Sequence, residues 1–224
     1  MQIMLIGDDK VKAIPVDECG DPMVDLAREF GTLTFDTSRK HVQTRSKSIS
    51  FGRSKVGHML VSAQKALPDG IKLLIKECYR PLWIQREFFE GYSAYLRKQF
   101  PHWDDVTVYD ECCKLNAPVE VAPHSTGGAV DLTLIDSNRN WFEMGTEFNA
   151  DPIKTKGATY TLAENISHEA RRNRELLSDA MSSVGFVNYP TEWWHWSYGD
   201  KYWALLTESE KAIFASIEDL EMKS

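Results

Sequence analysis

Two adjacent glycines, Gly127 and Gly128, stand directly before the apolar run Ala129–Ile135, and no other feature constrains the fold of this chain as much. A glycine pair permits a turn that bulkier residues resist, and the run behind it reads as a strand. Residues 71–79, dense in Leu and Ile, suit a second, buried strand. Helical spacing surrounds these two. Val56, Met59, Leu60, Ala63 and Leu67 predict a helix over residues 54–67 with Ser54 as its N-cap. Pro81 is suited to open a second helix running to about Phe100, because its missing N–H has no helical partner there. Residues 104–116 read as a third helix. Residues 167–184 form the clearest one, capped by Ser167 and stopped by Gly185. Residues 186–189 and 193–198 read as strands joined by a turn at Pro190-Thr191, and Thr207-Glu208-Ser209-Glu210 resembles a capping box that starts a last helix.

Residues 1–50 show recurrent turn formers and no sustained period, which predicts loops and short strands. Helices thus flank a modest sheet, and the expected class is α+β: one domain over residues 1–224 with a small antiparallel sheet. A chain of 224 residues with 42% hydrophobic content can bury one sizeable core, and no repeat, low-complexity tract or linker divides it.

Charge excludes one class of partner. The net charge of −7 argues against a nucleic-acid partner, because binding phosphates normally needs a basic face, and the basic cluster at residues 39–53, interrupted by Ser and Thr, reads as a solvated loop. No stretch approaches the roughly 20 apolar residues of a membrane span, and Met1 to Lys10 lack a secretory pattern, so the expected location is cytoplasmic. Cys19, Cys78, Cys112 and Cys113 form no CxxC pair and are expected as reduced, partly buried thiols.

Of six histidines, two keep unusual company. His124 lies in Pro123-His124-Ser125-Thr126-Gly127-Gly128-Ala129-Val130-Asp131, and His195 closes Glu192-Trp193-Trp194-His195. A catalytic zinc takes three ligands from His, Asp or Glu and leaves one position for water. His124, Asp131 and His195 would supply them, with Glu192 left to take a proton from the water. Positions three or seven apart face opposite sides of a straight strand. The glycine pair would have to turn His124 toward Asp131, and a bend would be needed between Glu192 and His195. His168-Glu169 imitates the start of a helical HExxH zinc motif, but Arg172 stands where the second histidine belongs.

The segment from Glu120 to Leu134, Met144-Gly145-Thr146, and Asn188-Tyr189-Pro190-Thr191-Glu192-Trp193-Trp194-His195 together resemble the D-alanyl-D-alanine dipeptidase family over residues 54–204. The resemblance implies the hedgehog/D-Ala-D-Ala peptidase fold and one zinc ion per chain on His124, Asp131 and His195, with Glu192 as general base. It matches Cys78-Tyr79-Arg80-Pro81 to the family's arginine that stabilises the tetrahedral intermediate, a role suited to a fixed guanidinium. The chain departs from the family's best-known member in two places. Ala122 and Pro123 replace serines before the first histidine, and Asn149 replaces an aspartate that meets the substrate's amine. The implied function is hydrolysis of D-alanyl-D-alanine or a similar D-amino-acid dipeptide in cell-wall peptide turnover. The alternatives are a carboxypeptidase or endopeptidase of the same superfamily acting on peptidoglycan stem peptides, and a non-catalytic, zinc-stabilised binding module. The expected partner is a small dipeptide; the oligomeric state is left open.

Overall fold

The computed structural model describes residues 3–37, 46, 48–218 and 220. Its main sheet has five strands: β2 (Thr34–Phe35), β4 (Lys72–Glu77), β5 (Ala129–Ile135), β7 (His195–Ser197) and β6 (Val187–Asn188), in that spatial order. All neighbours are antiparallel except the edge pair β2 and β4. A two-strand ribbon joins β1 (Met23–Asp25) to β3 (Phe51–Arg53). The class is α+β, a small and mainly antiparallel sheet flanked by helices.

Strand β5 is buried along its whole length, and its alternation divides the molecule. Val130, Leu132 and Leu134 point into the largest core, against Val56, Met59 and Leu60 of α3 (Ser54–Ala66) and Leu177, Ala180 and Met181 of α6 (His168–Ser182). Trp193, Trp194 and Trp196 pack into the same core. Truncating one such side chain, as in Leu60→Ala, costs about 2–5 kcal/mol. Asp131 and Thr133 occupy the alternate positions and so face the other side. A bulge at Lys76 shifts the register of β4, so that Ile75 pairs with Leu132 and Glu77 pairs with Asp131. That single extra residue places a carboxylate beside the strand position that becomes part of the site.

Most expected helices are present with trimmed ends. α4 spans Leu82–Gln99, α5 spans Asp105–Cys113 with Asp104 capping Thr107 N–H, and α6 is capped by Ser167. Three expectations need correction. Ser54 is the first helical residue of α3 and not its cap; Arg53 holds the cap position without a side-chain bond, because a guanidinium has no acceptor to offer the helix N–H groups. Pro81 is likewise one position earlier, at the N-cap of α4.

The last helix lies before Thr207, not after it: α7 spans Lys201–Leu206 and is capped by Asp200. Thr207 Oγ1 donates back to the Trp203 carbonyl, and Glu208 turns left-handed at φ 54°, closing the helix where a capping box was expected to open one. The chain beyond runs extended beside residues 15–19, with Ala212 N–H donating to Pro15 O and Asp17 N–H to Ala212 O. Residues 1–50 also hold two one-turn helices, α1 (Asp9–Lys12) and α2 (Leu26–Glu29). Residues 39–45 and 47 of the basic cluster lie outside the described residues, while Arg53 at its end is buried. All four cysteines are free, three of them buried. Among the described residues no helix is long and apolar enough to cross a membrane.

Candidate active site

The first histidine sits in a single 3-10 turn, His124–Thr126, that Gly127 closes at φ 71°. Only glycine suits these positions. A Cβ on Gly127 would lie 2.3 Å from Met23 Sδ, and one on Gly128 would lie 2.3 Å from the Tyr198 carbonyl. The turn returns the chain into β5, which presents Asp131 beside His124. On the other side of Asp131, β7 begins at His195, its register partner. Glu192 reaches the same place because Tyr189 to His195 fold into a turn. Glu192 N–H donates to Tyr189 O, and His195 N–H donates to Glu192 O at 3.2 Å. The Asn188 side-chain amide clasps this turn, donating to both Glu192 O and His195 O.

The three candidate ligand atoms form a tight triangle. His124 Nε2 lies 3.2 Å from Asp131 Oδ1 and 3.1 Å from His195 Nδ1, and His195 Nδ1 lies 2.9 Å from Asp131 Oδ1. Bonds of about 2.0–2.1 Å in tetrahedral geometry would set such atoms roughly 3.3 Å apart, so the triangle already approximates the span one metal ion requires. The tautomer is also fixed for this purpose. His124 Nδ1–H donates to the Cys78 carbonyl at 2.6 Å, which leaves Nε2 with a lone pair to offer.

Charge makes the same case. Glu77, Asp131 and Glu192 are buried carboxylates, and the only guanidinium among them is that of Arg80. These buried acids outnumber the guanidinium, an excess that a bound cation would offset. The surroundings register the imbalance. Burial, and then the nearby Asp131 charge, push the Glu192 carboxyl well above the usual range, with Arg80 opposing. Asp131 goes the other way: His124 and His195 hold its carboxyl low despite its burial. Burial depresses His195, whereas Asp131 raises His124 against the cost of its burial. The donor set, its spacing and its charge fit a divalent metal.

Glu192 stands just outside the triangle, its Oε2 3.9 Å from His195 Nδ1. It is not one of the three clustered donors, and it is near enough to meet a water beside them. Arg80 lines the same cavity, gripped from behind. Its Nε and Nη2 donate to the two Glu77 oxygens at 2.6 and 2.8 Å, and its Nη1 donates to Gln85 Oε1 at 2.8 Å. Gln85 in turn donates to the Ala117 carbonyl. A guanidinium has five N–H groups, so two remain for a ligand. Asn149 also lines the cavity, at a left-handed φ of 61°. The cavity is walled by Ile6, Phe88, Leu115 and Tyr189 among others.

The structure thus gathers His124, Asp131, His195, Glu192, Arg80 and Asn149 around one cavity. Sequence reasoning missed Glu77 and Gln85, which orient Arg80, and Ile6 and Tyr189, which wall the cavity. Glu77 left a trace: it is the one acid in its strand, three residues before Arg80. Ile6 left none, since only the fold brings it there.

Comparison with known proteins agrees with this geometry. A family model described as D-ala-D-ala dipeptidase, of the peptidase M15 group, matches residues 33–214. A D-alanyl-D-alanine dipeptidase of Synechocystis sp. is 28% identical over 86% of this chain and 87% of its own length. Proteins of the same description from Escherichia coli and Enterococcus faecium are 34% and 28% identical, over 57% and 64% of this chain and 55% and 70% of theirs. With a family match that takes in both histidine motifs and the cavity between them, the chain belongs to the D-ala-D-ala dipeptidase family of peptidases.

Proposed function

We propose that the chain is a zinc-dependent dipeptidase acting on D-alanyl-D-alanine or a similar D-amino-acid dipeptide, in the turnover of cell-wall peptides. The observation that carries this reading is the triangle of His124 Nε2, Asp131 Oδ1 and His195 Nδ1 with the Glu192 carboxylate 3.9 Å from one corner. The three ligands would hold a zinc ion, which when bound supplies a water of lowered pKa and a polarised scissile carbonyl. Glu192 takes the proton of the attacking water and returns it to the departing amine; burial raises its basicity toward that task. Arg80, locked by Glu77 and Gln85, offers its two remaining N–H groups to the oxygen on which charge develops. A small walled cavity supports a short substrate over a long polypeptide.

One observation favours a second reading, in which the preferred substrate carries a blocked amine, as the terminal residues of a longer stem peptide do. Among the described residues lining the cavity, the only carboxylates are Asp131 and Glu192, and both already have roles. Asn149 offers a free ammonium an amide where a charge would bind it more strongly.

The test is hydrolysis of D-Ala-D-Ala, L-Ala-L-Ala and N-acetyl-D-Ala-D-Ala by the zinc-loaded protein. Turnover should require a D-configured substrate, vanish with a chelator and return with zinc. Glu192→Ala should keep its zinc by elemental analysis and lose about 10²–10⁴-fold in kcat or more. Wild-type turnover by that variant, or by the metal-free protein, would refute the mechanism.

A further inference from the structure

The segment that carries the first metal ligand is gripped from outside by groups far away in sequence. Three consecutive carbonyls after His124 each accept one N–H: Ser125 O from Ile217, Thr126 O from the Arg53 side chain, and Gly127 O from the Arg53 backbone. Arg53 is therefore bonded to this segment twice. Its guanidinium is buried, and all five of its N–H groups are satisfied. Nε donates to Thr126 O at 2.8 Å; Nη1 to Glu18 Oε1 at 3.0 Å and Asp21 O at 2.6 Å; Nη2 to Glu18 Oε2 at 2.9 Å and Ala215 O at 3.2 Å. The Phe214 ring lies against it, 4.8 Å from Cζ.

Glu18 holds this fork in place. Its oxygens also accept N–H bonds from Gly20 and Ala215, so four bonds converge on one carboxylate. Partial burial works against its charge, but the Ala215 and Gly20 donors and the guanidinium outweigh that and hold the carboxyl below its ordinary range. The cluster joins the 18–21 segment, β3, the His124 loop and the chain at 214–217, four pieces that share no secondary structure.

We propose that Arg53, locked by Glu18, is a positioning residue for the metal centre: its planar fork sets the 124–127 loop and thereby the place of His124 Nε2. This rests on the reading of His124 as a ligand. The physical reason is the tolerance of a metal site, where ligand atoms must sit within a few tenths of an ångström. The His124 side chain turns Nε2 toward Asp131 and His195 and has one anchor outside that triangle, the Cys78 carbonyl. Its backbone must then be held by the loop, and three carbonyls pinned at successive residues leave that loop little freedom. Lysine at position 53 would retain the charge but not a fork that meets Thr126 and Glu18 together.

The experiment compares zinc affinity, by chelator competition, in the wild type, Arg53→Lys, Glu18→Gln and Leu60→Ala. Leu60 lies in the core on α3, makes none of the hydrogen bonds of this cluster, and supplies a destabilised control. Arg53→Lys should bind zinc about 10- to 100-fold more weakly, the usual cost of losing an outer partner of a ligand. Glu18→Gln should weaken it by a smaller factor, and this variant carries the test if Arg53→Lys does not fold. Leu60→Ala should bind within twofold of wild type despite its lower melting temperature. Wild-type affinity in the Arg53 and Glu18 variants, or an equal weakening in Leu60→Ala, would overturn the proposal while leaving the ligand assignment standing. Absence of tight zinc binding in the wild type would instead overturn the assignment, and the proposal with it.

Discussion

The two halves of the site are held by different mixtures of near and distant bonds. The turn that carries Glu192 and His195 has a clasp of its own in addition to distant bonds, among them Thr191 Oγ1 to Lys114 O, 77 residues away, and Trp193 N–H to Thr159 O. Asn188 bonds Glu192 O and His195 O, four and seven residues away, and further bonds run between Tyr189, Glu192 and His195 within the turn. The loop that carries His124 is held from afar: by Arg53, 73 residues from Thr126, by Cys78, 46 residues from His124, and by Ile217. A ligand held locally needs the right short sequence; a ligand held at long range needs the whole fold to be in place first. One metal ion joins the two, so the site as a whole is no more ordered than the loop on its distant side.

The largest effect expected from this comparison is on the metal itself. His124→Ala and His195→Ala should both emerge from dialysis with their zinc largely lost by elemental analysis, since two remaining donors hold such an ion poorly. Full retention in either would show that the two halves do not share an ion.

A smaller effect separates the halves. Asn188→Ala takes from the Glu192 and His195 carbonyls one of the two donors each has, which costs about 0.5–1.5 kcal/mol per bond in stability and lowers kcat/KM by about 10- to 100-fold through misplacement of Glu192. Chemical denaturation and steady-state rates measure these. The turn keeps its bonds to Lys114 and Thr159 when the Asn188 amide is removed, so zinc affinity should fall less in Asn188→Ala than in Arg53→Lys. The reverse order would mean that the Glu192 turn, not the His124 loop, is the fragile side.

The smallest effect concerns substrate ends. Asn149→Asp should lower KM severalfold for dipeptides with a free amine, because a charged hydrogen bond is roughly twice as strong as a neutral one. N-acetylated dipeptides, which carry no charge there, should not respond. Equal shifts for both would remove Asn149 from substrate contact and leave it as a left-handed loop residue, a conformation asparagine tolerates well.

Much of the frame was legible before any coordinates. Ser167 and Gly185 bracket α6 because caps and stops act within one turn of chain. The glycine pair at 127 and 128 announces both a turn and strand β5 because only glycine fits the backbone contacts there. Where local signals misled, a more distant partner had the greater hold. Ser54 lost the cap position to Arg53, whose backbone N–H donates to Gly127 O. The acidic pattern after Thr207 opened no helix, because the chain there runs extended beside residues 15–19.

By itself the sequence determined the residue types at the site and the turns that present them. His124, Asp131, Glu192 and His195 stand beside breaks in regular structure that glycine and proline write into the chain. What only the tertiary structure decided was how these groups meet. The Lys76 bulge set Glu77 opposite Asp131, Glu77 and Gln85 aimed Arg80, Ile6 came to wall the cavity, and Arg53 bound both ends of the chain to the first ligand loop. The reason is physical. Caps, turns and strand alternation are settled by bonds among near neighbours. A buried charge finds its partner only after burial has removed water as an alternative, and nothing in local spacing records which distant group that partner is.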